Sequence, residues 1–550
     1  MSAEEPKESA IRKVFSRRIS KLKKDHPWVS LWIIRFIQYF VLFCVVIIPG
    51  YLLFREFNLA PTGIENARYF LSAMVQAQAA IVSLVVTLTL IAIQMAAASY
   101  TPRVVDVMKK NPDMWFLLII YLSAISYGFI VLKLVGSDPD PVLVSSVLII
   151  GIYTFSILFL YMRNTISQLR PDEVVKMLVG EINVENIYQK EWTDDIMQPV
   201  FDVVHASIMR YDVTTTRTGL NKLSERISEL FLSFDPGSRE KTAESIMGYF
   251  CYHIKRSSLV ALRNDDEEMF IEIIDILDKF GKQVADKELT AATERLAWTL
   301  AYAGCHTADK GLKEATETVA KVLGDIGSYA TDKGLNVVPA RVALGLELVG
   351  NHAVDKELEM ATNMVVWALE DIGIHAVNKG LEEAIYTVTW ALENVGSHAA
   401  YKGLEAETYN VVDALREIGN RTVDKEMREA TEWVAEALWN IGSHAAYMGL
   451  RDATNRVAWA LGNVGDRAAD KGLKGAVDIV VRGLCRIGCK EFGRDDTAKS
   501  LASLLFRDKD RVTKLIDDFI SKLNSNEKED FGHFMDMVNE ELKILESSDK

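Results

Sequence analysis

The sequence predicts an all-α protein: four transmembrane helices, then a helical connector and an α-solenoid of nine 23-residue repeats on the cytoplasmic side. Three observations predict it. Long apolar runs are confined to the chain before Asn164, glycine recurs every 23 residues from Gly281 to Gly488, and basic residues crowd the ends of the apolar runs on one side. The chain divides into a basic cytoplasmic segment (1–28), a transmembrane domain (29–163), the connector (164–280), the array (281–488) and a C-terminal helical cap (489–550).

The first apolar stretch, Val29 to Phe54, follows Arg12, Lys13, Arg17, Arg18, Lys21, Lys23 and Lys24 and so resembles a signal peptide. A signal core is only ~7 to 15 residues, whereas this stretch can cross a ~30 Å hydrocarbon layer and has no small-residue cleavage site behind it, so a retained span is expected. Further spans are expected at Tyr69–Ala98, Met114–Val135 and Val142–Tyr161, with loops REFNLAPTGIENAR and GSDPDP too short for an outer domain. Arg103, Lys109, Lys110, Arg163 and Arg170 fall on the same side as the basic tail. That asymmetry predicts a multi-pass protein of the cell membrane with both termini cytoplasmic. Arg35 and Lys133, near span ends, are expected to snorkel to the interface.

In the second span Ser72, Gln76, Ser83, Thr87 and Gln94 recur at steps of four and seven, which places them on one helix face. Such a stripe either lines a water-filled path or bonds across to neighbouring helices. No intramembrane carboxylate or lysine stands out as a proton relay.

The stretch AAIVSLVVTLTLIAIQMAAASYTPRVVDVMKK, with Gln94, the small residues Ala96 to Ala98 and the turn Tyr100 to Arg103, resembles the prokaryotic predicted-membrane-protein family called domain of unknown function 2254. The resemblance covers roughly Tyr69 to Pro171. It implies a membrane topology and brings no activity, cofactor or catalytic residue.

The connector has an amphipathic helical pattern with breaks expected at Arg170-Pro171, Asp194-Asp195, Thr214 to Thr218 and Asp235-Pro236-Gly237. In the array, ten glycines from Gly281 to Gly488 bound nine repeats, and leucine recurs at Leu300, Leu323, Leu346, Leu369, Leu392, Leu415, Leu438, Leu461 and Leu484. Leu381, Ala384, Ile385, Val388, Thr389, Leu392 and Val395 form a buried-helix stripe ending before Gly396. Gly396 is read as the helix stop and Ser397 as the N-cap of a short second helix before Gly403, a cap repeated by Ser328, Asn351, Asn420, Ser443 and Asp466. One such unit cannot bury its own stripe, so neighbours must stack. Glu288, Glu357 and Glu426 replace the second glycine in every third repeat, marking either a superhelical period or a triple duplication. Beyond the array, two amphipathic stretches, Leu501–Leu523 and Phe531–Leu545, are expected to cap it.

Five repeats carry histidine two residues after the glycine: His306, His352, His375, His398 and His444. Stacked helices lie ~8 to 10 Å apart, too far to share one ion at ~2 Å bonds, so local packing or bonding near the helix cap is the reading, with a pH response as the alternative and no metal site. Trp298, Trp367, Trp390 and Trp459 share one repeat position and predict an aromatic strip along one face, either core edge or a groove for a partner.

The 76 acidic against 62 basic residues leave a net charge of −14, which argues against nucleic-acid binding. Cys44, Cys251, Cys305, Cys485 and Cys489 are odd in number and fit no disulfide framework or zinc motif, so reduced, mostly buried thiols are expected. No nucleotide, metalloprotease or hydrolase motif is present, and neither a catalytic residue nor a cofactor is assigned. The function expected is a homo-oligomeric, channel-like membrane protein lined by the second span, with the solenoid as vestibule or regulatory ring. The alternative is a membrane-anchored scaffold whose solenoid recruits a cytoplasmic protein. The partners are accordingly the bilayer, further copies of the chain and, for the scaffold, a cytoplasmic protein.

Overall fold

The structure is a computed structural model and describes residues 27–57, 63–99, 112–135, 141–168, 170–183, 196–233, 236–489, 494–523 and 525–548. These residues form α-helices and no strand. The basic N-terminal segment, the turn Tyr100 to Arg103, Lys109, Lys110, Asp194, Asp195 and Asp235 lie outside the described residues. The chain divides into two compact units, Met1–Ser207 and Ile208–Lys550.

In the first unit α1 (Pro27–Phe57), α2 (Ile64–Ser99), α3 (Pro112–Leu134) and α4 (Pro141–Gln168) contain the four apolar spans, and α5 (Pro171–Gly180) and α6 (Gln198–Ile208) follow. Each span of 22 to 32 residues is long enough to cross a ~30 Å hydrocarbon layer. Helices α3 and α4 pack on each other, and both α1 and α2 pack on that pair. Tyr39, Val85, Leu117, Tyr121, Tyr153, Ile157 and Tyr161 form one core cluster, and Ala67, Leu71, Val131, Val135, Val144 and Val147 form the other.

The second unit opens with α7 (Val213–Ser233) and α8 (Pro236–Arg263). Thr214 to Thr218 do not break the connector: they make the first turn of α7, where Asp212 accepts from the backbone N–H of Thr215 at 3.0 Å. Ten helices carry the glycine repeat: α9 (Glu267–Asp286), α10 (Thr290–Lys310), α11 (Lys313–Asp332), α12 (Val337–Asp355), α13 (Glu359–Lys379), α14 (Glu382–Tyr401), α15 (Glu405–Asp424), α16 (Arg428–Met448), α17 (Arg451–Asp470) and α18 (Lys474–Gly488). They are followed by α19 (Arg494–Arg507), α20 (Lys509–Ser521) and α21 (Ser525–Ser548). The tail therefore has three helices where two stretches were expected, because Asp508 interrupts the first stretch and caps α20.

From α7 to α21 every helix packs against the second helix along, and through the array also against the next. Two layers result, one of odd-numbered and one of even-numbered helices. The nine repeated leucines, Leu300 through Leu484, are all fully buried between them.

The repeat is one helix, not a long helix plus a short one. Helix α14 runs through Gly396 and Ser397 to Tyr401 without interruption, and Ser328, Asn351, Asn420, Ser443 and Asp466 likewise lie inside helices and cap nothing. Gly396 is a close-approach point: a Cβ there would stand 2.8 Å from Val411 Cγ1 on α15 and 2.8 Å from Ile441 Cδ1 on α16. The glycine costs helix propensity of ~1 kcal/mol and admits two neighbouring side chains in exchange.

The helix stop is the second glycine. Gly403 has φ +78°, and the N–H of Leu404 reaches back to the carbonyl of Ala399 at 2.9 Å, the six-to-one bond of a Schellman motif. Leu404 then starts the next helix, its carbonyl accepting from the backbone N–H and the hydroxyl of Thr408. The same bond recurs from Leu312 to Thr307 through Leu473 to Ala468. Glu288, Glu357 and Glu426 adopt this left-handed conformation too, at φ +57°, +54° and +58°. An L-residue there is strained by ~1 to 2 kcal/mol, and part of that relief is lost to the greater unfolded-state freedom of glycine. Glu357→Gly is therefore expected to stabilise the array by about 0.5 to 1 kcal/mol. Thermal unfolding of the purified chain checks this, and an unchanged or lower midpoint would contradict it. A three-repeat interval is out of step with two layers, so the three glutamates follow helices of alternating layers, α9, α12 and α15.

Candidate functional site

The buried polar groups of the membrane unit hold the four helices together. Arg35 does not snorkel: its Nε lies 3.1 Å from Oδ2 of Asp113, and the Arg35 side chain is 16% exposed against 0% for the aspartate. Tyr39 Oη donates to Oδ1 of the same carboxylate at 2.9 Å. One carboxylate at the start of α3 thus fastens two residues one helical turn apart on α1. Asp113 was missed because it sits in the segment Lys-Asn-Pro-Asp, where an acidic residue reads as turn punctuation. Lys133 is exposed in the last turn of α3.

On α2 the packing contacts come from residues outside the predicted stripe. Buried Gln78 reaches Thr154 Oγ1 at 3.4 Å, and the hydroxyls of Thr89 and Tyr161 are 2.6 Å apart. The stripe itself turns away from the bundle. Gln76, Ser83, Thr87 and Gln94 are exposed and Ser72 is half-buried. Their hydrogen bonds stay on their own helix: Gln76 Nε2 donates to Ser72 Oγ at 3.2 Å, and Thr87 Oγ1 to the Ser83 carbonyl at 2.9 Å. Within one protomer the stripe is therefore not the bonding between helices that one sequence reading gave it. Ala73, Ala77 and Ala80 share the exposed face, so another backbone can approach closely there.

In the array three of the five histidines bond across the stack, while the His306 ring lies against Tyr302 of its own helix, with centroids 4.3 Å apart. His352 Nδ1 lies 2.8 Å from Asp309, His375 Nδ1 2.9 Å from Asp332, and His398 Nε2 3.1 Å from Asp355, each partner on the helix two places earlier. Tyr329 reaches Asp286 at 2.6 Å and Arg467 reaches Asp424 at 2.6 Å in the same register. Where that register supplies Asn378 or Tyr401 instead, Arg421 bonds Glu417 and His444 bonds the Asn440 carbonyl on their own helices. The repeated position is thus a strut between helices of one layer, and these half-exposed pairs contribute roughly 0 to 1 kcal/mol each. The Lys402 ammonium beside Asp355 holds that carboxyl below its ordinary range, with His398 adding to the effect. Among the described residues no three of His, Cys, Asp and Glu converge as a metal site.

The tryptophan strip is not formed. Trp298 and Trp390 lie on even-numbered helices and Trp367 and Trp459 on odd-numbered ones, so the four divide between two outer faces. Leu344 and Asp413 occupy the same repeat position on the helices between them. Each tryptophan is 39% to 49% exposed. The Arg456 guanidinium stacks 4.1 Å above Trp459 while holding Asp413 with two bonds, which makes that indole a packing surface. Trp298 borders a groove with Tyr252, Lys255, Tyr302 and Cys305, in which Lys255 lies 3.2 Å over the Tyr302 ring. All five cysteines are free, with Cys251 and Cys485 buried and the other three half-buried. Burial pushes the Cys251 thiol up to about 12 and the Cys305 thiol up to about 11.

Four spans tied by a buried polar network, followed by stacked repeat helices, define an integral membrane protein with a helical-repeat region. Residues 25–208 match the model of the family described as predicted membrane protein (DUF2254), which widens the resemblance seen over Tyr69 to Pro171 to α1 through α6. A search of curated proteins finds no match. Among solved structures the chain is similar to a "Circular tandem repeat protein with novel repeat topology and enhanced subunit contact surfaces", at 13% identity, over 79% of this chain and 97% of that one, with a TM-score of 0.33. It is also similar to an engineered protein, at 15% identity, over 68% of this chain and 95% of that one, with a TM-score of 0.19.

Proposed function

We propose that the protein is a homo-oligomeric channel of the cell membrane, with both termini cytoplasmic, in which α2 of each copy lines the path and the helical-repeat region serves as vestibule or regulatory ring. One observation carries this reading: the amide and hydroxyl row of α2 is exposed on the protomer, along a helix of membrane-spanning length. Thr87 and the Ser72–Gln76 pair bond on their own helix, but each amide or hydroxyl group of the row that those bonds leave over would cost roughly 2 to 7 kcal/mol facing hydrocarbon. Association that turns this face toward a central axis removes that cost by giving the row water or a neighbouring copy. Neutral hydroxyls and amides suit a conducting path better than a proton relay.

The test is flux through the full chain reconstituted in liposomes. Gln76, Ser83 and Thr87 all changed to leucine should reduce flux at least tenfold while leaving the oligomer intact on size-exclusion chromatography. A wild-type protein that passes no ion or solute, or a triple variant that conducts normally, would sink the reading. A monomeric wild-type protein would do the same.

A further inference from the structure

The row on α2 is longer than the neutral stripe. Glu65, Ser72, Gln76, Ser83, Thr87 and Gln94 are separated by seven, four, seven, four and seven residues, an 11-residue period from end to end. That period is 3.67 residues per turn, close to the 3.6 of a straight helix, so all six side chains stay on one face with almost no drift. At ~1.5 Å per residue, Ser72 to Gln94 spans about 33 Å, the thickness of the hydrocarbon layer, and Glu65 stands about 10 Å beyond it. With Ser72 to Gln94 across the hydrocarbon layer, the carboxylate falls at the mouth of the row.

Two features leave that carboxylate without a direct ion-pair partner. Glu65 is exposed and makes no hydrogen bond or ion pair among the described residues. Arg68, one turn along, directs its guanidinium to the carbonyl of Val135 at the end of α3, at 3.2 Å. An acidic residue in a first helical turn also complements the helix dipole, worth roughly 0.3 to 1 kcal/mol, but that role requires neither this phase nor an unpaired partner.

We infer that Glu65 selects for cations: in the assembly proposed above, on which this inference rests, one carboxylate per copy forms a ring at the mouth of the path. Such a ring raises the local concentration of cations and depletes anions, and the remaining hydroxyls and amides pass the ion without a strong binding step. The selectivity is electrostatic, so it weakens as salt shortens the Debye length from about 10 Å at 0.1 M to about 3 Å at 1 M.

Reversal potentials of the reconstituted full chain across a KCl gradient test this. The wild-type protein should favour K+ over Cl−. Glu65→Gln should lower that permeability ratio at least fivefold, Glu65→Lys should invert it, and Glu65→Asp should retain most of it. The wild-type ratio should also fall toward one as both solutions are raised to 1 M salt. Conduction with a ratio that Glu65→Gln and Glu65→Lys leave unchanged would overturn the role of Glu65 and leave the channel standing. A wild-type protein that conducts nothing would overturn the channel itself and this inference with it.

Discussion

Replacing Asp113 with alanine is expected to destabilise the membrane unit by about 3 to 5 kcal/mol, the usual cost of breaking a buried ion pair from one side. The carboxylate is fully buried and is shared by the Arg35 guanidinium and the Tyr39 hydroxyl. Its loss strands a largely buried cation and a phenol, which is more costly than the pair is stabilising. Asp113→Asn, which keeps an acceptor for Tyr39 and removes the charge, should fall between the wild type and Asp113→Ala. The double change Asp113→Leu with Arg35→Met should recover most of the loss, since no unpaired charge remains. Melting midpoints of the detergent-purified variants check the order. An Asp113→Ala protein that melts with the wild type, or a double variant worse than the single one, would show that the pair does not hold α1 to α3.

The second large effect lies in the array. Gly396→Val should cost about 3 kcal/mol, at the upper end for overpacking a filled core. Its Cβ would meet Val411 and Ile441 at 2.8 Å each, and the β-branched side chain adds two further methyl groups between three helices. Gly403→Ala is the control, because a Cβ there meets nothing within 4 Å and the strain comes only from φ +78°. That change should cost about 1 kcal/mol. In a stack whose helices contact only near neighbours, the damage should be local. Limited proteolysis of Gly396→Val should accordingly cut around α14 to α16 before it cuts the ends. Equal losses for the two variants would return Gly396 to the helix-stop role that its spacing first suggested.

The glycine period made the count of repeats readable, but a glycine can serve equally as a helix stop or as a contact point between helices. Sequence spacing does not distinguish the two, whereas the packing around Gly396 and the dihedral of Gly403 do. The four spans were readable because hydropathy and length are local properties. Periodicity also showed that Gln76, Ser83 and Thr87 share a face, and only the packing of α2 on α3 and α4 showed that this face points outward. The Arg35–Asp113–Tyr39 cluster joins residues 74 positions apart, and no local pattern announces such a pairing. The tryptophan strip failed for a related reason: one repeat position implies one face only if every repeat enters the same layer.

That alternation limits how such an array can change length. Adding or losing one repeat would send every later helix into the opposite layer, exchanging the outward surfaces of everything downstream. Adding or losing two would keep every helix in its layer. Parity therefore divides length changes into two kinds: those that only extend or shorten the surface, and those that present a different one.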